Sequence, residues 1–173
     1  MTELATPRLR LRSLGPDDEA FYCRLYTDPV LMRYVGTALS QETAERSFRS
    51  DCRTETEARR RWVWVMSERI SGADLGLLGL TGTGEAAEIG ALIVADRQNE
   101  GFAAEAIAAL VDHAFGALEL PMLATRHASA NGSAGGLMRK LGFLPAAAEP
   151  GAALDCVWRL PRDRWRKSRA ADG

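Results

Sequence analysis

Residues Ala87 to Ala109 read AEIGALIVADRQNEGFAAEAIAA, and the way this stretch divides decides the fold. Ile89 to Val94 is a short apolar run of the kind a buried strand carries. Asp96 to Glu100 forms a polar turn, and Gly101-Phe102 with two alanines leads into an Ala-rich helix. The first N–H groups of a helix have no partner within it, and the helix dipole favours negative charge at that end. A strand that enters a helix through a Gly-bearing turn is therefore a candidate anion site, suited to the pyrophosphate of a nucleotide-containing cofactor. A Gly at such a turn also has a purely conformational use, so the turn alone does not specify a ligand.

Upstream, two hairpins precede this strand. Arg61 to Ile70, with Trp62, Val63, Trp64 and Val65, has strand composition and ends at Ser71-Gly72-Ala73-Asp74. Leu75 to Leu80 follows, then the turn Thr81-Gly82-Thr83-Gly84 and the strand Ala87 to Val94. Consecutive hairpins predict an antiparallel sheet and argue against a doubly wound fold. GxGxxG is absent, as is a Gly-Lys-Ser/Thr ending, so neither a Rossmann fingerprint nor a P-loop is present. Earlier still, Arg8 to Leu14 alternates Leu9 and Leu11 with arginines as a half-buried strand. Pro16-Asp17-Asp18 opens a helix, Asp28-Pro29 ends it, and Ser40 caps a further helix to about Arg59. Downstream, a helix from Gly101 to Leu118 and a strand Met122 to His127 are followed by a helix from Asn131 to Leu141, stopped by Gly142. Ala153 to Leu160 makes the last strand. Residues 1–160 are expected to form one domain, and 161–173 a basic, frayed tail.

Bulk properties narrow the function. A length of 173 residues suits one core, and 46% hydrophobic with 26% charged residues is ordinary for a soluble globular chain. Net charge of −1 provides no field for nucleic acid, and no apolar run is long enough to cross a bilayer. The three cysteines are widely spaced and read as reduced thiols of a cytoplasmic protein, without a metal site.

Three separated motifs resemble one family. Gln98-Asn99-Glu100-Gly101-Phe102-Ala103 is similar to the Gln/Arg-x-x-Gly-x-Gly/Ala acetyl-CoA loop of the GNAT N-acetyltransferases. Glu88-Ile89-Gly90 stands ten residues before the Gln, as in the RimJ/RimL-like branch. Asn131 to Phe143, NGSAGGLMRKLGF, resembles that branch's second signature, and Thr6-Pro7-Arg8-Leu9-Arg10-Leu11-Arg12 its first strand. The resemblance implies an α/β fold with helices flanking a mixed, mostly antiparallel, splayed central sheet of about seven strands. It also implies transfer of an acetyl group from acetyl-CoA to a primary amine, either a protein N-terminus or a small molecule, by a monomer or homodimer.

Carried over residue by residue, the resemblance assigns the backbone of Ile93 and Val94 to pantetheine. It assigns the N–H groups of Gln98, Asn99, Glu100, Gly101, Phe102 and Ala103 to the pyrophosphate, with Gly101, Ala103 and Ala104 small enough for the cofactor's close approach. Asn131 is expected at the pantetheine arm or the reacting end. Lys140 is expected either at the adenosine phosphates or as a partner of its own helix dipole. An N–H near Ile93 is the expected oxyanion donor. Glu88, an acid on the central strand, is a candidate base or else a structural carboxylate, with Glu85 a weaker candidate. The family's usual Tyr is Met138 here and the branch's usual Ser is Ala134, leaving Ser133 as a displaced substitute and no assigned proton donor. Small residues at Ala91 and Leu92 replace usual aromatics, and Trp62, Trp64, Tyr34 and Phe48 are candidate acceptor walls or core. His127 has a better claim than His113 to face the cleft. The rival reading is a non-catalytic acyl-CoA-binding or regulatory module on the same scaffold.

Overall fold

The computed structural model describes residues 2–52, 60–82 and 86–171. Its strands are β1 (Leu4–Ala5), β2 (Leu9–Ser13), β3 (Arg60–Glu68), β4 (Asp74–Gly82), β5 (Ala87–Ile93), β6 (Met122–His127), β7 (Leu144–Ala146) and β8 (Cys156–Pro161). Its helices are α1 (Glu19–Thr27), α2 (Pro29–Met32), α3 (Gln41–Cys52), α4 (Phe102–Gly116), α5 (Gly132–Lys140) and α6 (Arg162–Ala171). All the strands join one sheet in the order β1-β2-β3-β4-β5-β6-β8-β7. Every neighbouring pair is antiparallel except β5 with β6.

Strand alternation sorts the apolar residues into two cores. Trp64, Met66, Leu78, Leu80, Ile89 and Ile93 face Ile107, Leu110 and Phe115 of α4. On the other face Val63, Val65, Leu77 and Leu92 pack against Tyr22 and Leu25 of α1 and Phe48 of α3. A central sheet covered on both sides explains why the β3 to β5 sequences read as near-continuous apolar runs. α5 ends in a Schellman cap: Phe143 N–H bonds Met138 O (3.0 Å) and Gly142 N–H bonds Arg139 O (3.0 Å), with Gly142 at φ 84°. Lys-Leu-Gly-Phe is thus a helix stop as well as a signature.

The structure bears out the expected sheet and corrects the expectation for the tail. The described sheet has eight strands, in keeping with the expected mixed sheet of about seven, and its edge strands β1 and β7 are only two and three residues long. The tail is helical, not frayed: in α6 the Trp165 ring lies 5.4 Å from Phe115 and its Nε1–H donates to Asp112 (2.8 Å). Glu85 and the expected end of the helix after Ser40 lie outside the described residues.

Gly76 marks the tightest point of the sheet. A Cβ there would stand 2.0 Å from Leu92 O and 2.9 Å from Met66 Cε. Gly76→Ala should therefore cost about 3 kcal/mol, the upper end for overpacking. Gly79→Ala, whose nearest atom would be 3.8 Å away, should cost less than about 1 kcal/mol. Denaturant midpoints of the two variants check the difference.

Candidate active site

β5 and β6 start side by side and then part. They are paired only at Ala87↔Leu123 and Glu88↔Ala124, although β5 runs on to Ile93 and β6 to His127. β5 stays fully paired with β4 on its other edge, from Gly82↔Ala87 to Gly76↔Ile93. Val94 N–H bonds Leu75 O (2.9 Å), and an antiparallel ladder alternates direction at each residue. The backbone groups of Ala91 and Ile93 therefore point away from β4, into the gap that β6 leaves. Gln98 Nε2 already donates to Ile93 O (3.0 Å). Val94, expected to share the pantetheine contact, is spent inside the fold: its N–H goes to Leu75, and its carbonyl accepts Arg97 N–H (3.1 Å). Alternation puts the exposed pair at Ala91 and Ile93 instead.

The turn after β5 is short and clamped. Ala95–Arg97 forms a 3₁₀ turn, and Asn99 (φ 64°) and Gly101 (φ 84°) are left-handed. Gly101 is the N-cap of α4 and has no side chain with which to cap it. The α4 ladder begins at Glu105 N–H to Gly101 O (3.1 Å), so the N–H groups of Phe102, Ala103 and Ala104 precede the first intrahelical bond. Arg8 holds the turn from β2's side, donating to Glu100 O (2.9 Å) and Glu105 Oε2 (2.6 Å) while lying 4.4 Å over the Phe102 ring. Arg97 lies 5.0 Å over the same ring and pairs with Glu68 (2.8 Å) and Glu100 (3.0 Å). Side chains thus occupy one another and leave the helix start bare. Burial pushes the Glu105 carboxyl up, but bonds from Thr6 and Arg8 outweigh it and hold it below its ordinary range.

Beside the gap lies a cavity of about 860 Å³ on the α1–α3 face of the sheet. Glu88 lines it and pairs through Oε2 with Arg126 Nη2 (3.1 Å). Gly90 and Leu92 continue the same face of β5, and Tyr26 of α1 forms part of the wall. Trp62, Trp64, Tyr34 and Phe48 are not among the lining residues. Trp64 and Phe48 are buried core, and Trp62 packs against the α4 cluster. Tyr26, Arg61, Arg126 and Arg159 line the cavity and were missed from sequence. Alternation with buried Trp158 and Leu160 could have flagged Arg159, whereas Tyr26 reaches the site only through tertiary packing.

The second signature lies apart from this lining. Asn131 is the N-cap of α5, and Ser133 Oγ donates to its Oδ1 (3.1 Å). Met138, at the usual Tyr position, is buried in the α4-side core, and Lys140 is exposed in the last turn of α5. Neither histidine lines the cavity. Trp158 Nε1–H can only donate, so His127 Nε2 accepts it (2.9 Å) and Nδ1–H donates to Ala128 O (2.9 Å). His113 stands edge-on to Trp64 (6.3 Å), and burial pushes its pKa down.

The family model described as an acetyltransferase (GNAT) domain matches residues 8–144. The chain belongs to the GNAT acetyltransferases. Solved GNAT structures share the fold at low identity. An acetyltransferase from Agrobacterium tumefaciens is 24% identical with a TM-score of 0.79, covering 92% of this chain and 94% of its own. Spermidine N-acetyltransferase from Vibrio cholerae, in complex with CoA and spermine, is 22% identical with a TM-score of 0.76, covering 93% and 99%. RimL, a ribosomal L7/L12 alpha-N-protein acetyltransferase in complex with CoA, is 14% identical with a TM-score of 0.78, covering 94% and 99%. No curated protein matches the sequence. Among the described residues no helix is long and apolar enough to cross a membrane, and no His/Cys/Asp/Glu group could hold a metal ion.

The Glu105 clamp predicts a pH signature. Glu105→Gln should cost about 1–2 kcal/mol near neutral pH, through weakened charged hydrogen bonds. Because the native carboxyl titrates below its ordinary 4.5, this stabilisation is complete above that value and is lost as pH falls through the lowered one. Urea unfolding of both proteins between neutral and acid pH should show the difference shrinking only below about 4.5.

Proposed function

We propose that this GNAT protein is an N-acetyltransferase that uses acetyl-CoA and a primary amine, a protein N-terminus or a small molecule, in a ternary complex. One observation carries the reading: an unpaired strand edge runs straight into an uncapped helix N-terminus. The first suits the amides of a pantetheine arm, which can bond along β5 as an added strand would. The second suits a pyrophosphate. The turn residues Asn99 to Ala104 supply N–H groups there, whereas Gln98 N–H is bonded to Ala95 O (3.5 Å), and Gly101 and Ala103 keep the approach open. Asn131 at the start of α5 is assigned to the arm, and exposed Lys140 to the adenosine phosphates. The motifs at Thr6 to Arg12, Glu88 to Gly90 and Asn131 to Phe143 support the RimJ/RimL-like branch.

Bound acetyl-CoA supplies a thioester whose carbonyl carbon accepts the amine. Glu88 is the proposed base. A strand rises about 3.3 Å per residue, so Ala91 lies about 10 Å along β5 from Glu88 and Ile93 about 16 Å. A carboxylate and one water span the first distance, not the second. We therefore assign the oxyanion-stabilising N–H to Ala91 rather than Ile93, and Ile93 to the arm. Amine attack forms the N–C bond, Glu88 takes the amine proton through water, and the C–S bond breaks to release CoA thiolate, protonated from solvent. No side chain is assigned as acid, because Met138 lies in the core.

Thiol release with acetyl-CoA across peptide and small-amine acceptors tests the proposal. Glu88→Gln should lower kcat about a hundredfold at neutral pH with little change in acetyl-CoA affinity. Gly101→Val, β-branched at φ 84° and 3.3 Å from Arg8 Nη2, should abolish acetyl-CoA binding. Acetyl-CoA binding without thiol release for any acceptor would favour the non-catalytic module, the reading that buried Met138 supports.

A further inference from the structure

The sheet register places the proposed base in the middle of a charged row. Arg61 pairs with Thr81, Thr81 with Glu88, Glu88 with Ala124, and Ala124 with Arg159. Directly paired residues project to one face, and all five line the cavity. Strands lie about 4.8 Å apart, so Arg61 and Arg159 flank Glu88 at about 10 Å, backbone to backbone, on opposite sides. Arg126, on the same face of β6, is the ion partner of Glu88.

The two flanking arginines differ in what they already hold. Arg61 Nε lies 2.9 Å from Asp51 Oδ1, and that aspartate is buried and also accepts the Tyr22 hydroxyl (2.7 Å). Arg159 is exposed, and among the described residues it has no carboxylate partner. Of the described lining, three arginines face two acids, Glu88 and Glu149. A polyamine bound with one amine at Glu88 would bring its other ammonium groups against guanidinium ions, a like-charge arrangement that selects against it.

We infer that the acceptor is an amine bearing a carboxylate close to its amino group, recognised by Arg159, so that the cavity selects against polycations. This rests on the acetyltransferase reading and names the substrate class for it. The carboxylate can come from a free amino acid or from an acidic residue at a peptide N-terminus. In either case the amine turns toward Glu88 and the carboxylate toward the β8 side, where Arg159 offers a planar pair of N–H donors.

Kinetics with four acceptors test it: an amino acid, its carboxamide, an amidated peptide beginning with Asp, and spermidine. The intact protein should show a kcat/KM for at least one carboxylate acceptor roughly tenfold above the carboxamide and spermidine. Arg159→Glu should lower the acid-to-amide ratio at least tenfold through KM, and Arg159→Gln should fall between. Whichever carboxylate acceptor leads identifies the source. Spermidine as the best acceptor, a wild-type ratio near one, or a ratio unmoved by Arg159→Glu overturns the anion site while leaving the transferase reading standing. Thiol release with none of the four, nor with any other amine, overturns both.

Discussion

The parallel contact between β5 and β6 stops after two residue pairs, and the working parts of this protein follow from that stop. Had the pairing continued, the N–H groups of Ala91 and Ile93 would be consumed by a neighbouring strand. Left open, they form a fixed line of donors whose partners must come from water or from a ligand. A buried backbone group without a partner costs about 1–3 kcal/mol, so a ligand that desolvates this edge must bond to it. That requirement selects an extended, amide-bearing arm over an apolar chain.

An open edge is useful only if the strand does not move. β5 is fixed by its complete ladder with β4, by the close approach of Gly76 to Leu92, and by the packing of Ile89 and Ile93 on the α4 face and of Leu92 on the other. The following turn has its own fixing. Arg8 and Arg97 bracket Phe102 and are paired with Glu105, Glu68 and Glu100, which ties β2, β3 and the α4 start together. Cations this close to an anion site would ordinarily be assigned to the ligand. Here they are balanced by carboxylates, so what the turn leaves open is its backbone.

Much of this was legible in residues 87–109 and their flanks, because the signals are local. The hairpins before β5, the turn into α4 and the Gly142 stop each depend on a few neighbouring side chains and on backbone sterics. What was not legible depends on partners distant in sequence. Val94 reads as a free strand end until Leu75 and Arg97 are seen to occupy it. Trp64 and Phe48 are candidate pocket walls by sequence although such aromatics are more often core, and the two-faced burial of the sheet decides for core. The basic tail carries one Trp among its charges, too weak a pattern to reveal a docked helix until Phe115 and Asp112 are in place. The arginine row across four strand pairings belongs to the register, which no local pattern encodes.

The most direct measurement is amide hydrogen exchange of the intact protein with and without saturating acetyl-CoA. The account predicts slowed exchange at Ala91 and Ile93 and at residues 99–104, with Val94 unchanged because its N–H is already bonded to Leu75. Binding that leaves these amides unprotected, or that protects a separate surface, would contradict the claim that the open β5 edge and the bare α4 start hold the cofactor.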